Sequence, residues 1–501
     1  MRSSQLLLLL LALPSSLCTP LQLDTSTFSS SSSSSSSTAQ TPLLPNEHVS
    51  SPRNDALAAM TAALTTLQSQ FFTHSTGTYP TGINWTRAVL GTLLAASTRT
   101  LSSSPSPQHR ALSNRFFTEL IAVYYGQDMH LKQEAYDDIL WVVLQWLEAL
   151  KTINLRADRF EPTEWSGSEW TPAFADRAAE FYTIAERGWD EALCRGGMIW
   201  SPWLEPYKNA ITNELYVSAS VGMYLYHPAH SPAHLSNALR AHAWLAASGM
   251  RNAQGLYTDG FHVSKLKLPP SAGEKTCDQR DEMVYTYNQG VLLSGLRGLA
   301  EVTGERAYLE EGFALVDAVV SSQGKVGEIV AGGILTEKCD PESRCSQNGH
   351  TFKGIFMHHL TLFCTPLVPL PGAAASNLTV AFSADTISWH SEVCSKYNLF
   401  LVTNAAAAWR TRNANGVVGA WWGAPDAAGL PNSDSPFWDA QEGRFKTELD
   451  AGATDHLNPE IPVGVDLANK GDLNDRGRGR TVESHSGGLA ALRAVVEVVF
   501  A

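Results

Sequence analysis

The segment 136–150, YDDILWVVLQWLEAL, carries apolar residues at helical spacing, and valines and a tryptophan fill much of the remaining circumference. A helix that is apolar nearly all round is buried inside a protein. Asp137 and Asp138 stand next to each other at its start. The pattern therefore predicts a buried helix that carries two carboxyl groups into the interior of the fold.

Eleven further segments show helical periodicity, and few segments resemble strands. The twelve predicted helices cover 55–72, 85–98, 109–125, 136–150, 172–193, 209–226, 233–248, 288–303, 306–321, 352–362, 386–410 and 486–500. The fourth, sixth and eighth are apolar or small on more than one face, whereas the third and fifth carry more charge. This alternation predicts an all-α fold in which an outer ring of helices wraps an inner ring. Stacked solenoid hairpins are the competing architecture, but the sequence has no repeat of fixed period.

The charge of the chain and its polar segments limit the possible partners and the extent of the folded domain. The chain has 501 residues and a net charge of -13, which argues against nucleic acid or an anionic membrane as partner. No interior apolar stretch reaches the roughly 18 residues of a membrane span. Residues 1–18 are typical of a secretory signal peptide, and the Ser/Thr-rich stretch 19–50 of a disordered linker. We therefore expect a single domain over 51–501. The polar stretch 423–480 is long for a loop, and its Asp-rich part, 434–475, lacks the spacing of an EF-hand calcium site.

Seven cysteines are present, and Cys18 lies within the predicted signal peptide. The six that remain form an even set, which in an oxidising compartment suggests disulfides with 15 conceivable pairings. Cys339 and Cys345 flank a short polar loop, so we predict that they pair with each other. No CxxC motif and no tight Cys/His cluster occurs, so we expect no structural metal site. Asn84 and Asn377 begin sequons for N-glycosylation.

The aspartate pair has two interpretations. In the first, Asp137 and Asp138 cap the helix and complement its dipole. In the second, burial raises both carboxyl pKa values and the like charges push the two values apart. One protonated and one ionised carboxyl group is what glycoside hydrolysis requires.

Six segments in order favour the second interpretation. They are YDDILWVVLQWLEAL at 136–150, CRGGMIWSP at 194–202, KNAITNELYVSAS at 208–220, GLYTDGFH at 255–262, YTYNQGVLLSGLRGLAEVTGERAYL at 285–309 and FKGIFMHHL at 352–360. Together they resemble glycoside hydrolase family 76, the endo-α-1,6-mannanases and their fungal cell-wall relatives. The resemblance implies an (α/α)6 barrel, a toroid of six helical hairpins. The sequence departs from the family pattern at two places. The stretch 423–480 is longer than the fold leads us to expect, and Trp-Val follows Leu140 where relatives often have paired aromatic residues.

The resemblance also implies the chemistry. It makes Asp137 the nucleophile and Asp138 the general acid/base of a retaining mechanism, and it implies no cofactor. Retaining enzymes hold their two carboxyl groups about 5 to 5.5 Å apart, which neighbouring residues at a helix start can reach. The implied partners are α-mannan polysaccharide or mannoprotein glycans.

Seven further residues are candidates for substrate binding, and each also has a structural alternative. They are Trp200, Asn209, Glu214, Asp259, Tyr287, Asn288 and Gln289. The aromatic rings of Trp200 and Tyr287 suit either stacking on sugars or packing in the core. Asn209 suits either a pocket or a helix cap, Glu214 a pocket or a buried hydrogen bond, and Asp259 a sugar hydroxyl or a turn. The neighbouring amides at the start of the eighth helix suit sugar hydroxyls. His358 and His359 are expected to be structural.

Three functions are compatible with the sequence. The first is a secreted, monomeric hydrolase that cleaves internal α-1,6-mannosidic bonds, outside the cell or at the cell wall. The second is a transglycosidase that moves a glycan from a GPI anchor to wall polysaccharide. Such relatives carry a C-terminal GPI signal, whereas this sequence ends in ALRAVVEVVFA without the polar spacer and long apolar tail, which favours the hydrolase. The third is a non-catalytic glycan-binding protein.

Overall fold

The computed structural model describes residues 51–263, 276–325, 327–341, 343–367, 378–424, 438–439, 444–445, 472–475 and 478–500. The predicted signal peptide and linker, the sequon residue Asn377 and most of the polar stretch 423–480, with its Asp-rich part, lie outside the described residues. The predictions for those segments stay predictions.

Thirteen α-helices have their bounds within the described residues. They are α1 (Pro52–Phe71), α2 (Thr86–Ser102), α3 (Pro107–Tyr125), α4 (Tyr136–Arg159), α5 (Thr171–Ala185), α6 (Ala210–Tyr226), α7 (Pro232–Ala247), α8 (Thr286–Thr303), α9 (Arg306–Val320), α10 (Gln347–Cys364), α11 (Ala384–Ser395), α12 (Asn398–Arg410) and α13 (Val482–Ala494). A π-helical turn, Val495–Val499, extends α13. None of these helices is both long and apolar enough to cross a bilayer.

The helices form two concentric rings. The inner ring runs α2, α4, α6, α8, α10 and α13, and each of these helices packs against the next, with α13 closing on α2. Outside it, α3, α5, α7 and α9 each pack against the inner helix that precedes them, while α1 and α12 pack against α13. This arrangement confirms the all-α prediction and the (α/α)6 barrel.

A buried carboxylate joins the N-terminal ends of three inner helices. Glu483, in the first turn of α13, accepts hydrogen bonds from the backbone N–H of Ile83 (3.1 Å) and the hydroxyl of Thr86 (2.8 Å) at the start of α2. It also accepts one from Nε2 of Gln347 at the start of α10 (3.1 Å). These three inner helices therefore begin at the same end of the barrel. Trp85, at the start of α2, stacks on Trp141 in α4, so the start of α4 with Asp137 and Asp138 lies at this end as well.

Several predicted helices differ from the observed ones. The helix expected over 136–150 continues to Arg159, and the helix expected over 352–362 begins at Gln347. The helix expected over 172–193 ends at Ala185 and continues only as the 3₁₀ turn Glu186–Gly188. Gly188 packs so closely that an added Cβ would lie 2.6 Å from the ring of Tyr136. The helix expected over 386–410 is two helices, because the chain turns at Lys396 and Tyr397 between α11 and α12.

A small antiparallel sheet, which the sequence pattern did not predict, lies near the start of α6. Its strands are β1 (Tyr207–Asn209), β2 (Gly260–His262) and β3 (Gln279–Asp281), in the order β1-β2-β3. Asn209 pairs with Gly260, so the residue before β2 lies beside the start of α6. Two further strand pairs, β4 (Val330–Ala331) with β5 (Ile334–Leu335) and β6 (Trp438–Asp439) with β7 (Arg444–Phe445), lie elsewhere in the chain.

Three disulfides join the six described cysteines. Cys339 pairs with Cys345, which confirms the prediction from the short loop between them. The other pairs, which the sequence left open, are Cys194 with Cys277 and Cys364 with Cys394.

Candidate active site

Asp137 and Asp138 occupy the first turn of α4. The N-cap of this helix is Ala135, whose backbone is extended and whose side chain makes no capping hydrogen bond. Neither aspartate is therefore the N-cap residue that the simpler interpretation requires. Both side chains are partly buried at the end of the barrel where the inner helices begin.

One oxygen of the Asp137 carboxyl group accepts a hydrogen bond from the protein. Its Oδ2 accepts a hydrogen bond of 3.2 Å from the indole Nε1 of Trp200. Its buried Oδ1 has no hydrogen-bond partner among the described residues. Burial raises the pKa of Asp137 to about 7, although nearby backbone N–H groups and the Trp200 indole oppose the rise, and the charge of Asp259 adds to it. One oxygen is thus oriented by the protein while the other is available.

The pKa of Asp138 is also raised. Burial is again the largest cause, and the charges of Asp137 and Glu134 add to it, so the pKa lies well above its ordinary value. Two carboxyl groups that interact this closely release their protons as a coupled pair. The pair therefore keeps one proton over a range of pH in which an exposed pair of aspartates would be fully ionised.

The Trp200 indole is positioned by backbone hydrogen bonds to two elements. The backbone N–H of Tyr136 donates to the carbonyl of Trp200 (2.8 Å), and the backbone N–H of Trp200 donates to the carbonyl of Tyr207 (2.8 Å). The loop that precedes Trp200 is in turn held by the buried ammonium group of Lys208, which donates to the carbonyl of Gly197 (2.6 Å). The start of α4 and strand β1 thus fix the indole between them.

A second polar group lies around Asp259. The hydroxyl of Tyr207 donates to Oδ2 of Asp259 (2.7 Å), and Nδ2 of Asn288 approaches Oδ1 at 3.4 Å. The ring of Tyr287 stacks on Phe352 with 3.9 Å between ring centroids and 10° between planes. Burial is the largest cause that raises the pKa of Tyr287, and the charges of Asp259 and Asp137 add to the rise.

Two of the sequence-predicted residues bond to backbone groups around the site, Asn209 and Gln289. Asn209 caps α6, because its side chain accepts a hydrogen bond from the backbone N–H of Thr212 (3.4 Å). The amide of Gln289 is fully engaged with backbone: it accepts from the N–H of Tyr257 (2.8 Å) and donates to the carbonyls of Tyr257 (2.9 Å) and Tyr285 (3.0 Å). We therefore correct the expectation that the Gln289 amide binds a sugar hydroxyl, since it clamps α8 to the loop before β2.

Glu214 is the most unusual of the predicted residues. Its side chain is 0% exposed, and neither carboxyl oxygen has a hydrogen-bond partner among the described residues. Burial raises its pKa well above the ordinary value, although the charge of Arg251 opposes the rise, while the charge of Asp259 adds to it. Burial thus favours the protonated form of Glu214, whose enclosed side chain does not lie in the open part of the site.

His358 and His359, the two neighbouring histidines of α10, do not belong to this group. His359 bonds to the hydroxyl of Ser294 (2.8 Å), and His358 to the guanidinium of Arg493 (3.2 Å). Burial lowers the pKa of both rings, so they are neutral. Among the described residues, no three His, Cys, Asp or Glu side chains are arranged so that they could hold a metal ion.

The structure thus brings together Asp137, Asp138 and Trp200 with Tyr287, Asp259 and Asn288, whereas Asn209, Gln289 and Glu214 lie in the frame around them. Sequence reasoning missed Tyr207, which orients Asp259. Its position directly before the segment 208–220 is the sequence signal that could have identified it. The arrangement offers an oriented carboxylate, a proton on the neighbouring carboxyl group, and polar and aromatic groups beside them.

The sequence and the fold were compared with known proteins. The family model of glycosyl hydrolase family 76 matches residues 54–423. The mannan endo-1,6-alpha-mannosidase DCW1 of Candida albicans is 24% identical over 206 residues, which make up 40% of this chain and 42% of that protein. The chain is thus aligned with less than half the length of that curated relative.

Solved structures share the fold. The alpha-1,6-mannanase GH76A of Salegentibacter sp. HEL1_6 superimposes with a TM-score of 0.57 at 16% identity, over 88% of this chain and 98% of that one. An inactive variant of that mannanase, with two neighbouring aspartates changed to asparagine, has been solved in complex with alpha-1,6-mannotriose. Dfg5 of Chaetomium thermophilum, in complex with glucosamine, gives a TM-score of 0.56 at 14% identity, over 91% of this chain and 93% of that one.

Proposed function

Because this chain belongs to glycosyl hydrolase family 76, we propose that it is a glycosidase that hydrolyses internal α-1,6-mannosidic bonds in mannan or mannoprotein glycans. The curated relative is named as a mannan endo-1,6-alpha-mannosidase. A structural neighbour whose two adjacent aspartates are replaced is described as inactive and binds an α-1,6-linked mannose oligosaccharide. Both support an aspartate pair acting on this class of glycan.

The observation that carries the proposal is the asymmetry of the pair at the start of α4. Asp137 receives the Trp200 hydrogen bond, which favours its ionised form. For Asp138, burial and the charge of Asp137 favour the protonated form. Asp137 is thus suited to act as the nucleophile, and Asp138 to act as the acid.

The reaction then proceeds in two steps. In the first, a carboxylate oxygen of Asp137 attacks the anomeric carbon while Asp138 transfers its proton to the glycosidic oxygen, so the C–O bond breaks and a glycosyl ester with Asp137 forms. In the second, ionised Asp138 takes a proton from water as that water attacks the anomeric carbon, and the ester bond breaks. The product keeps the configuration of the substrate.

The neighbouring groups suit substrate binding. Asp259 carries hydrogen-bond acceptors for sugar hydroxyls, and Tyr207 and Asn288 fix its orientation. The indole of Trp200 and the ring of Tyr287 are each only partly buried and offer surfaces for a sugar ring. These contacts would hold the mannose whose anomeric carbon faces Asp137.

Transfer to a sugar acceptor is the second candidate, because the glycosyl ester can be resolved by a hydroxyl group of another glycan as well as by water. The fold shared with Dfg5, which was solved with an amino sugar, keeps this candidate open. The three disulfides suit a protein that works outside the cell or at the cell wall.

The proposal is tested by incubating the purified protein with α-1,6-mannan and separating the products by size. Short α-1,6-linked oligosaccharides are expected, and NMR of the first product should show an α-configured reducing end. Added mannose oligosaccharides distinguish transfer, since a transglycosidase would yield products longer than the acceptor. If the wild-type protein released no product and formed no transfer product, the proposed activity would be wrong.

A further inference from the structure

Trp203 is a tryptophan whose indole lies largely in solvent. Its exposed fraction is 73%, whereas Trp85, Trp141 and Trp146 in the inner helices and beside them are buried. Scattered apolar residues on a surface are normal, so exposure by itself carries no function. Two further observations distinguish this side chain.

The first observation is that the indole is held in one orientation. Its Nε1 donates a hydrogen bond of 2.7 Å to the backbone carbonyl of Gln133. Its backbone N–H donates to the hydroxyl of Ser201 (3.3 Å), which is itself buried. The polar edge of the ring is thus satisfied and fixed, while the apolar faces are left to solvent.

The second observation is its position. Gln133 precedes Asp137 by four residues, so the two Cα atoms lie no more than about 15 Å apart even for an extended chain. Trp203 also follows Trp200 by three residues, and Trp200 bonds directly to Asp137. The exposed indole therefore lies close enough to the aspartate pair for a glycan bound there to reach it.

We propose that Trp203 is a stacking platform for a sugar residue of the substrate that lies beyond the mannose at Asp137. This inference rests on the proposed function and specifies it further. The C–H face of a pyranose ring is apolar, and the face of an indole is a large, electron-rich surface that attracts it. Such a platform strengthens binding of long glycans and contributes nothing to a substrate too short to reach it.

Trp165 provides a matched control. It is also partly exposed, at 37%, and its Nε1 is also hydrogen-bonded, to Glu169 (2.6 Å). It follows the C-terminal end of α4, a helix of 24 residues and thus about 36 Å long. Trp165 therefore lies at the opposite end of the barrel from the aspartate pair.

The test measures binding of α-1,6-linked mannobiose, mannotriose, mannotetraose and mannohexaose by calorimetry. The double variant Asp137→Asn with Asp138→Asn serves as the parent, because it lacks both the nucleophile and the acid and therefore leaves the substrates intact. Into this parent, Trp203→Ala, Trp203→Phe and Trp165→Ala are introduced, and thermal unfolding confirms that each is folded. Trp203→Ala should weaken binding of the longest oligosaccharides roughly tenfold, the effect of uncovering part of one indole face. Trp203→Phe, which keeps a smaller ring, should weaken it less.

Mannobiose should bind equally well to all variants, and Trp165→Ala should match the parent at every length. Equal binding of the long oligosaccharides by Trp203→Ala and Trp165→Ala would overturn the inference. An equal loss for mannobiose and mannohexaose would also overturn it, because the indole would then belong to the central site. If the parent bound no mannose oligosaccharide of any length, the proposed function would fail first, which is a distinguishable result.

Discussion

The indole Nε1 of Trp200 donates a hydrogen bond of 3.2 Å to Oδ2 of Asp137. The two residues are 63 positions apart in sequence, and backbone bonds from Tyr136 and to Tyr207 bring them together. A donor aimed at a carboxylate favours the ionised form. This contact therefore separates the roles of two adjacent aspartates that the sequence presents as equivalent.

Trp200→Phe should move the acidic limb of the pH profile to higher pH. The change removes the hydrogen bond and keeps an aromatic ring, so the pKa of Asp137, already about 7, should rise. A lost hydrogen bond to a charged group is worth about 1.5 to 3 kcal/mol, or about one to two pH units. Measuring kcat/KM on α-1,6-mannan across pH checks this, with Trp165→Phe as control. An unshifted limb would show that the contact does not tune Asp137.

Tyr207→Phe should weaken substrate binding more than turnover. The substitution keeps the ring, which stacks on His262 at 4.2 Å, and removes the hydroxyl that orients Asp259. A group that contacts the substrate equally in the ground and transition states affects KM and leaves kcat nearly unchanged. We expect KM to rise several-fold to about tenfold.

Tyr182→Phe is the matched control for that experiment, because the Tyr182 hydroxyl is also buried and hydrogen-bonded, to Ser220 (2.8 Å), away from the aspartate pair. Steady-state kinetics on mannan oligosaccharides provide the measurement. The same KM for both variants would mean that Asp259 does not depend on Tyr207 or does not bind the sugar.

Glu214→Gln should stabilise the protein at neutral pH. The pKa of Glu214 is raised in the folded state by burial, so the folded protein binds a proton that the unfolded chain releases above its ordinary value of 4.5. The stability that this proton contributes is fully present below pH 4.5 and is lost as the pH rises toward the folded-state pKa of Glu214. Glutamine has the same shape and no proton to hold, so the variant should gain roughly 1 to 3 kcal/mol over wild type at pH 7.

Denaturant unfolding at pH 4 and pH 7 measures that gain, which should nearly vanish at pH 4. Glu148→Gln is the opposite control. Burial acts to raise the pKa of Glu148, but the charges of Arg99 and Lys151 outweigh it and hold the pKa below its ordinary value. Its replacement should therefore destabilise the protein at pH 7. If Glu214→Gln were less stable than wild type at pH 7 but not at pH 4, Glu214 would be ionised in the folded protein.

Local pattern was enough to predict most of the fold. The apolar stretch behind Asp137 is a buried inner helix, and the alternation of apolar and charged helices is the two-ring architecture. The break between α11 and α12 could not be predicted, because no Gly or Pro marks it. Long-range contacts hold it: the disulfide from Cys394 to Cys364, and the hydrogen bond of 2.8 Å from Tyr397 to Asp317.

The candidate site was predictable only in part, for a related reason. The position of Asp137 and Asp138 at a helix start is a local property and was visible in the sequence. Whether an amide faces the cavity or the backbone depends on tertiary contacts, so Gln289 could not be distinguished from Asn288. Exposure is also a tertiary property, and for that reason Trp203 did not stand out among the tryptophans.

The separate roles of the two aspartates give the most direct test of the proposed mechanism. Asp137→Asn removes the nucleophile, and Asp138→Asn removes the acid, while both keep the shape of the site. The measurement compares kcat/KM of each variant on α-1,6-mannan and on an aryl mannobioside with a good leaving group. Asp137→Asn should lose turnover of both substrates. Asp138→Asn should lose about 10²- to 10⁴-fold on mannan and far less on the aryl substrate, whose leaving group departs without a proton. Equal losses on both substrates would contradict the role assignment, and near wild-type activity of both variants on mannan would show that the pair is not catalytic.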